Sequence, residues 1–195
     1  VIVWTIEGMW SNGPGFGRKG AFAATPNLDL IARAGRVVTD TWSGGHTATQ
    51  SHRRILDKGK SGRPLATEIQ DVGLVTGFFS VARALDDELL NTFETQQRVE
   101  VTKAVETFPS LLGSLTNWLN VRKEERFFLY VDTGEPVMDT RGEVAPRTAY
   151  ERFQGPVTAT EAGAALLPKY WSHLSLNDFW VGELFSLLHR LGRLK

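Results

Sequence analysis

"LATEIQDVGLVTGFFS", Leu65 to Ser80, decides what kind of sheet this chain builds. After Pro64 the first half reads as a helix that stops at Gly73, and the second half as a strand with apolar residues on both faces. A strand buried on both faces belongs in the middle of a parallel sheet, where helices cover either side. Two other stretches have the same character. "FFLYVD", Phe127 to Asp132, follows the polar turn "RKEER", and "VIVWTIE", Val1 to Glu7, ends in an acid followed by Gly8. "RVVTDTW", Arg36 to Trp42, reads as a fourth, shorter strand ending near Asp40. Because Val1 already opens an apolar run, the chain is expected to begin inside its first strand, with no signal-peptide pattern of its own, and an upstream export signal could have been removed.

Helical signals lie between these runs. In "TPNLDLIARAG", Thr25 to Gly35, Thr25 suits the N-cap, Pro26 the first turn and Gly35 the end, with Leu28, Ile31 and Ala32 on one face. A second helix is expected from Gln50 to Lys58, stopped by Gly59, with Thr49 as its cap. "FPSLLGSLTNWLN" sets Leu111, Leu112, Leu115, Trp118 and Leu119 at helical spacing, and the last helix runs from Leu176 to Leu191. "ALDDELLNTFETQQRVEV", Ala84 to Val101, starts as a helix and is ambiguous after that, while 133–170 reads as a long loop region. Strands alternating with helices give an α/β fold: a mostly parallel sheet flanked by helices.

Composition narrows the function classes. Lys and Arg total 22 and so do Asp and Glu, so no charge excess directs the chain to nucleic acid or an anionic membrane. No apolar run approaches the length of a membrane span. With no cysteine, disulfides, thiolate metal sites and a Cys nucleophile are excluded.

Two motifs compete for a ligand. Gly15-Phe16-Gly17-Arg18-Lys19-Gly20 matches the dinucleotide fingerprint, with Asp40 at the distance of a ribose contact. A dinucleotide-binding domain is therefore a minor alternative. The fingerprint must open its helix straight after the strand, but here the helix waits until Pro26, which argues for a plain glycine loop. The other candidate is "SGGHTATQSHRRILDKGK", Ser43 to Lys60. Thr49 at the start of a helix faces free backbone N–H groups, and Arg53 lies one turn further along the same face. Such a pair can hold a sulfate or phosphate group, and Glu7 could hold a divalent cation beside it. On these residues alone a second reading stands: an ordinary N-cap, a solvated basic face and a loop acid.

The order of these pieces resembles the N-terminal part of the sulfatases, within the alkaline phosphatase superfamily. The resemblance rests on the acid-bearing first strand, the "TPNLD" helix, and "TATQSHRRILDKGK", where Thr49 stands four residues before Arg53 and Lys58-Gly59-Lys60 closes the motif. "LATEIQDVGLVTGFFS", "RFFLYVDTGEP" and "LSLNDFWVGELFSLLHRLGRL" continue it in order. The resemblance implies an alkaline-phosphatase/sulfatase-like fold over 1–195, as the N-terminal portion of a single domain lacking the C-terminal metal-binding part. It also implies a metal-dependent hydrolase or transferase for sulfate or phosphate esters, small-molecule or glycan. Thr49 would be nucleophile and metal ligand, Glu7 a metal ligand, and Arg53 the catalytic clamp on the anionic group. Arg53, His52 and Lys60 would touch substrate, and the cation would be Ca2+, Mn2+ or Zn2+. Though the family is often exported, the chain itself leaves localisation open.

The sequence also departs from the family. Gly8 replaces the second of the paired aspartates, Thr49 stands where a Cys or Ser becomes formylglycine, Ser51 takes the proline position, and Val137 takes that of a histidine. Threonine nucleophiles with a first-strand glutamate are known in the phosphoethanolamine transferases and lipoteichoic acid synthases of the same superfamily, which would make the intermediate a phosphothreonine. The alternative is a degenerate or truncated sulfatase-like domain without turnover. His46 and His52 flank Thr49 and could assist it, but a lone histidine in a polar loop is more often solvated.

Overall fold

The computed structural model describes residues 1–6, 24–38, 48–57, 62–81, 87–99, 104–133 and 167–194. Within them lie β1 (Ile2–Thr5), α1 (Pro26–Ala34), α2 (Ala48–Leu56), α3 (Leu65–Asp71), β2 (Val75–Ser80), α4 (Asp87–Leu90), β3 (Thr95–Arg98), α5 (Ala104–Val121), β4 (Phe127–Asp132) and α6 (Leu167–Arg190). The chain divides into two compact units. One comprises Val1–Glu7, Asp40–Thr102 and Pro109–Gly134, and the other Gly8–Thr39, Lys103–Phe108 and Glu135–Lys195.

The first unit holds a four-stranded sheet in the order β1-β4-β2-β3, every pair parallel. Its two central strands are the most apolar: all six residues of β4 and five of the six in β2 are buried, whereas β1 is half-buried and β3 mostly exposed. Three of the strands expected from sequence are therefore present. The fourth is not where the sequence put it. Arg36–Val38 form no strand, and Val38 stands 61% exposed; the rest of "RVVTDTW", Asp40 included, lies outside the described residues. The edge is built instead by Thr95-Gln96-Gln97-Arg98, whose polarity hid it from a search for apolar runs. An edge strand shows one side to solvent and is protected from pairing with other chains by that same polarity.

The period of two along each strand sorts the core into two layers. On one face Phe78, Phe128 and Tyr130 join Leu56 of α2, Ala66 of α3, Leu89 and Leu90 of α4, and Phe93. Tyr130 stacks on Phe78 with centroids 5.4 Å apart, and Phe93 meets Phe78 edge-on at 5.4 Å. On the other face Trp118 of α5 packs against Phe79 at 5.8 Å and Phe127 at 5.6 Å. A Cβ placed on Gly77 would lie 2.8 Å from Trp118 Cζ2, so the strand needs a glycine where the indole crosses it.

The turn from α3 into β2 also depends on glycine. Gly73 has φ +77°, its N–H donates to Gln70 C=O at 2.8 Å, and Leu74 N–H donates to Ile69 C=O at 3.3 Å. These two bonds close a Schellman motif, and Ile69 and Leu74 pack on the same apolar cluster. The stop read from the sequence at Gly73 thus also aims the chain into the central strand.

In the second unit α1 begins at Pro26 and ends before Gly35, as expected, but Thr25 makes no side-chain cap. Its hydroxyl donates to Asp29 at 3.2 Å. The cap comes from Asp178 of α6, whose carboxylate accepts Leu28 N–H at 2.7 Å, Asn27 N–H at 3.2 Å and the Asn27 side-chain amide at 3.0 Å. Gly182, one turn further along α6, leaves room for that amide, since a Cβ there would lie 2.6 Å from Asn27 Nδ2. α6 itself begins nine residues before the expected Leu176 and buries Val181, Leu184, Leu187 and Leu188.

Three outcomes follow from this packing. Gly77→Ala should cost about 1–3 kcal/mol by overpacking Trp118, read as a lower urea midpoint. Asp178→Ala should cost about 1–2 kcal/mol through loss of the α1 cap. Burial raises the Asp178 carboxyl above its ordinary 3.8, an effect larger than the opposing hydrogen bonds from Leu28 and Asn27. In that range the folded state binds the proton more tightly than the unfolded chain, so stability falls as pH rises from near 3.8 through the raised pKa. Asp178→Asn should flatten that part of the stability–pH profile, and an unchanged slope would show that another group causes it.

Candidate active site

Parallel α/β sheets bind ligands beyond the carboxyl ends of their strands. Three strands of the first unit end side by side with polar residues: Asp132 on β4, with Thr5 on β1 and Ser80 on β2 both paired to it across the register. Asp132 is fully buried. A carboxylate in that position is tolerated only when donors surround it. Thr5 Oγ1 donates to its Oδ1 at 3.0 Å and Ser80 Oγ to its Oδ2 at 3.1 Å. His52 Nε2 lies 3.6 Å from Oδ1.

His52 reaches the sheet from α2. On a helix of 3.6 residues per turn, Thr49, His52 and Leu56 fall on neighbouring rows of one side. His52 is 3% exposed and Leu56 2%, Thr49 is half-buried, and Arg53, Arg54 and Ile55 face outward. The imidazole Nδ1 stands 2.7 Å from the Tyr130 hydroxyl, and the two rings meet edge-on with centroids 5.8 Å apart. Tyr130 and Asp132 are two residues apart on one strand, hence on the same face, and the imidazole spans them.

Three of the expected site residues, Thr49, His52 and Arg53, lie among the described ones. Thr49 and Arg53 lie on α2 one turn apart. The helix begins at Ala48, so Thr49 falls inside the first turn instead of capping it, and the helix ends at Leu56, two residues short of the expected Lys58. His52 is not a solvated loop histidine. It is buried, with one ring nitrogen on Tyr130 and the other towards Asp132. Glu7, Gly8, His46, Lys60 and Val137 lie outside the described residues, as does the Gly15–Gly20 loop. Sequence reasoning did not single out Thr5, Ser80, Tyr130 and Asp132. One signal was available for three of them, since Thr5, Ser80 and Asp132 are the last residues of parallel strands.

Asp132, His52 and Tyr130 resemble a catalytic relay in their order of carboxylate, imidazole and hydroxyl. Exposure excludes that role for Tyr130, which is fully buried and stacked on Phe78, out of reach of any substrate. With its two nitrogens directed at Tyr130 and Asp132, His52 is also poorly placed to take a proton from Thr49. Nor do the described residues fit a divalent cation. No three His, Asp or Glu side chains among them converge on one point, and both Asp132 oxygens already accept hydroxyl protons. Calcium takes six to eight oxygen ligands and magnesium six.

No protein-family model matches the sequence, and no curated protein does. Solved structures do match. One is the crystal structure of Ps i-CgsB in complex with k-i-k-neocarrahexaose, with a TM-score of 0.74 at 12% identity, covering 98% of this chain and 55% of that one. A second is BT33336S-sulf, from work on the metabolism of glycosaminoglycans by Bacteroides thetaiotaomicron, with a TM-score of 0.68 at 12% identity, covering 98% and 59%. The chain thus spans little more than half the length of the structures it matches. No helix among the described residues is long and apolar enough to cross a membrane.

Tyr130→Phe removes a short, buried hydrogen bond while keeping the ring stack, and should cost about 1–3 kcal/mol in urea unfolding. A midpoint equal to that of the parent protein would mean that the hydroxyl contributes nothing to holding α2. The described α/β sheet with its flanking helices, and its match to sulfatase structures, show that this chain has the sulfatase-type fold and fits its N-terminal part.

Proposed function

We propose that this chain supplies the ester-binding half of a sulfatase-like hydrolase or transferase, and that the anionic group of a sulfate or phosphate ester meets α2 at Thr49 and Arg53. The observation that carries this reading is the pairing of Thr49 and Arg53 one turn apart on a helix anchored over the carboxyl ends of β4 and β2. Arg53, exposed and at the edge of the helix, can pair two guanidinium N–H groups with two oxygens of the anion. Ester alcohols of the glycan class are favoured by the neocarrahexaose in one fold relative and the glycosaminoglycan link of the other.

In the reaction, the Thr49 oxygen forms a bond to the sulfur or phosphorus as the bond to the alcohol oxygen breaks. The hydroxyl proton ends on the departing alcohol, leaving a threonine ester that water then cleaves back to threonine and free sulfate or phosphate. Transfer differs only in that a second alcohol replaces the water. Lys60 belongs to this reading as a further contact for the anion, and the 1–195 span as the N-terminal portion of a single domain. Glu7 and Thr49 are the chain's own positions for a divalent ion, whose remaining ligands would come from parts of the fold beyond the described residues. No step above is assigned to that ion.

A second reading, an anion-binding domain without turnover, is favoured by Gly8 and Val137, which stand where the family has an acid and a histidine. The two readings separate on one protein preparation. Titration with inorganic sulfate and phosphate should show binding that Arg53→Ala weakens about ten- to a hundredfold, the worth of a charge-assisted hydrogen bond of about 1.5–3 kcal/mol. Incubation with an aryl sulfate or phosphate ester should leave a mass adduct on Thr49 that Thr49→Ala abolishes. Binding without any adduct favours the second reading, and absence of both would remove the ester site altogether.

A further inference from the structure

We propose that His52, held between Tyr130 and Asp132, is a positioning residue that sets the rotation of α2 about its axis and so aims Thr49 and Arg53; the inference rests on reading those two residues as the ester site. Among the described side chains of α2 two are buried, Leu56 and His52, one turn apart. Leu56 enters the cluster of Phe78, Leu90, Phe128 and Tyr130. Apolar burial of this kind is non-directional and fixes how deep the helix lies, with little preference for its angle. A hydrogen-bonded imidazole is directional. With Nδ1 2.7 Å from Tyr130 Oη, the ring is hydrogen-bonded at one point of a central strand that is itself buried, and its Nε2 faces a second point, Asp132 Oδ1, at 3.6 Å.

The second of those points is also fixed. Asp132 is clamped by Thr5 from β1 and Ser80 from β2, so the carboxylate towards which His52 turns keeps its orientation. Thr49 lies three residues before His52 and Arg53 one after, so both move with any turn of the helix. A rotation of about 20° displaces groups at the helix surface by about 2 Å. Misplacement by even 1 Å at a reacting centre is costly. The buried cluster therefore acts at a distance: it touches no substrate, yet it fixes where Thr49 and Arg53 point.

The experiment uses the whole chain and three substitutions that divide the ring's two contacts. His52→Asn places an amide near the Nδ1 position and can keep the bond to Tyr130. His52→Gln reaches the Nε2 position and can keep the contact to Asp132, and His52→Ala keeps neither. Affinity for inorganic sulfate and phosphate is measured by calorimetry under conditions where each variant is folded, and Thr49 and Arg53 amide shifts are followed by NMR. The expected result is at least tenfold weaker anion binding in His52→Ala, partial recovery in His52→Asn or His52→Gln, and amide shifts of Thr49 and Arg53 that rank in the same order.

A folded His52→Ala that binds sulfate as the parent does overturns the proposal, because a merely stabilising histidine lowers the urea midpoint without changing affinity in the folded molecules. Equal loss in all three variants overturns it too. If His52→Ala does not fold, the comparison of His52→Asn and His52→Gln with the parent decides by the same criteria. Should the parent bind neither anion, the ester-site reading fails by itself. The amide shifts then decide for His52: Thr49 and Arg53 signals that move in the variants support the aiming role, and unmoved signals overturn it.

Discussion

A carboxylate without solvent, in the middle of a parallel sheet, constrains everything placed around it. Asp132 is the last residue of β4, and β4 has a neighbour on each side, so the donors it needs must come from the ends of β1 and β2 and from the helix above. Thr5 and Ser80 meet the need because the register pairs both with Asp132. A slip of one residue in either strand would turn those hydroxyls to the opposite face. A slip of β2 would also turn Phe78 away from Tyr130, since Phe78 and Ser80 share a face of β2. The polar cluster and the aromatic layer thus require the same register, and agreement of this kind gives a sheet one arrangement in preference to several.

The same strands show what was legible beforehand. β2 and β4 declared themselves because burial on both faces demands apolar residues at nearly every position, a pattern few other elements share. β3 has no such demand. Thr95 to Arg98 need only hydrogen-bond to β2 on one side, and Gln97 spends its side chain on Ser114 of α5. Conversely, Arg36 to Val38 carry two β-branched residues and yet form no strand, because β propensity is realised only where a neighbouring strand is available. The cap of α1 was hidden for another reason. Thr25 had the right chemistry next to the helix, but Asp178 supplies the carboxylate from across 151 residues of sequence, and no local pattern points to it.

At the site, position was legible and burial was not. Thr49 and Arg53 stood out through their spacing and through the resemblance of the surrounding motif. His52, between them, looked like one more polar residue in a basic stretch. What distinguishes it is the helical phase, which puts it on the side of Leu56, and a tyrosine and an aspartate that the chain reaches only some eighty residues later. The likeness to sulfatase structures, at 12% identity, adds the fold and no more, so the roles of individual side chains rest on exposure and geometry in this chain.

Exposure along α2 separates those roles. A residue that meets substrate must be reachable, and a residue that holds the helix must be shielded, because water competes for every hydrogen bond it makes. Within five consecutive residues the helix presents both: Thr49 half-buried at the boundary, His52 inside, Arg53 outside. Had the relay of Asp132, His52 and Tyr130 ended at a solvent-facing hydroxyl, its geometry would argue for nucleophilic catalysis. It ends instead against Phe78, in the most apolar part of the sheet. The cluster's hydrogen bonds therefore join the helix to the sheet and reach no solvent.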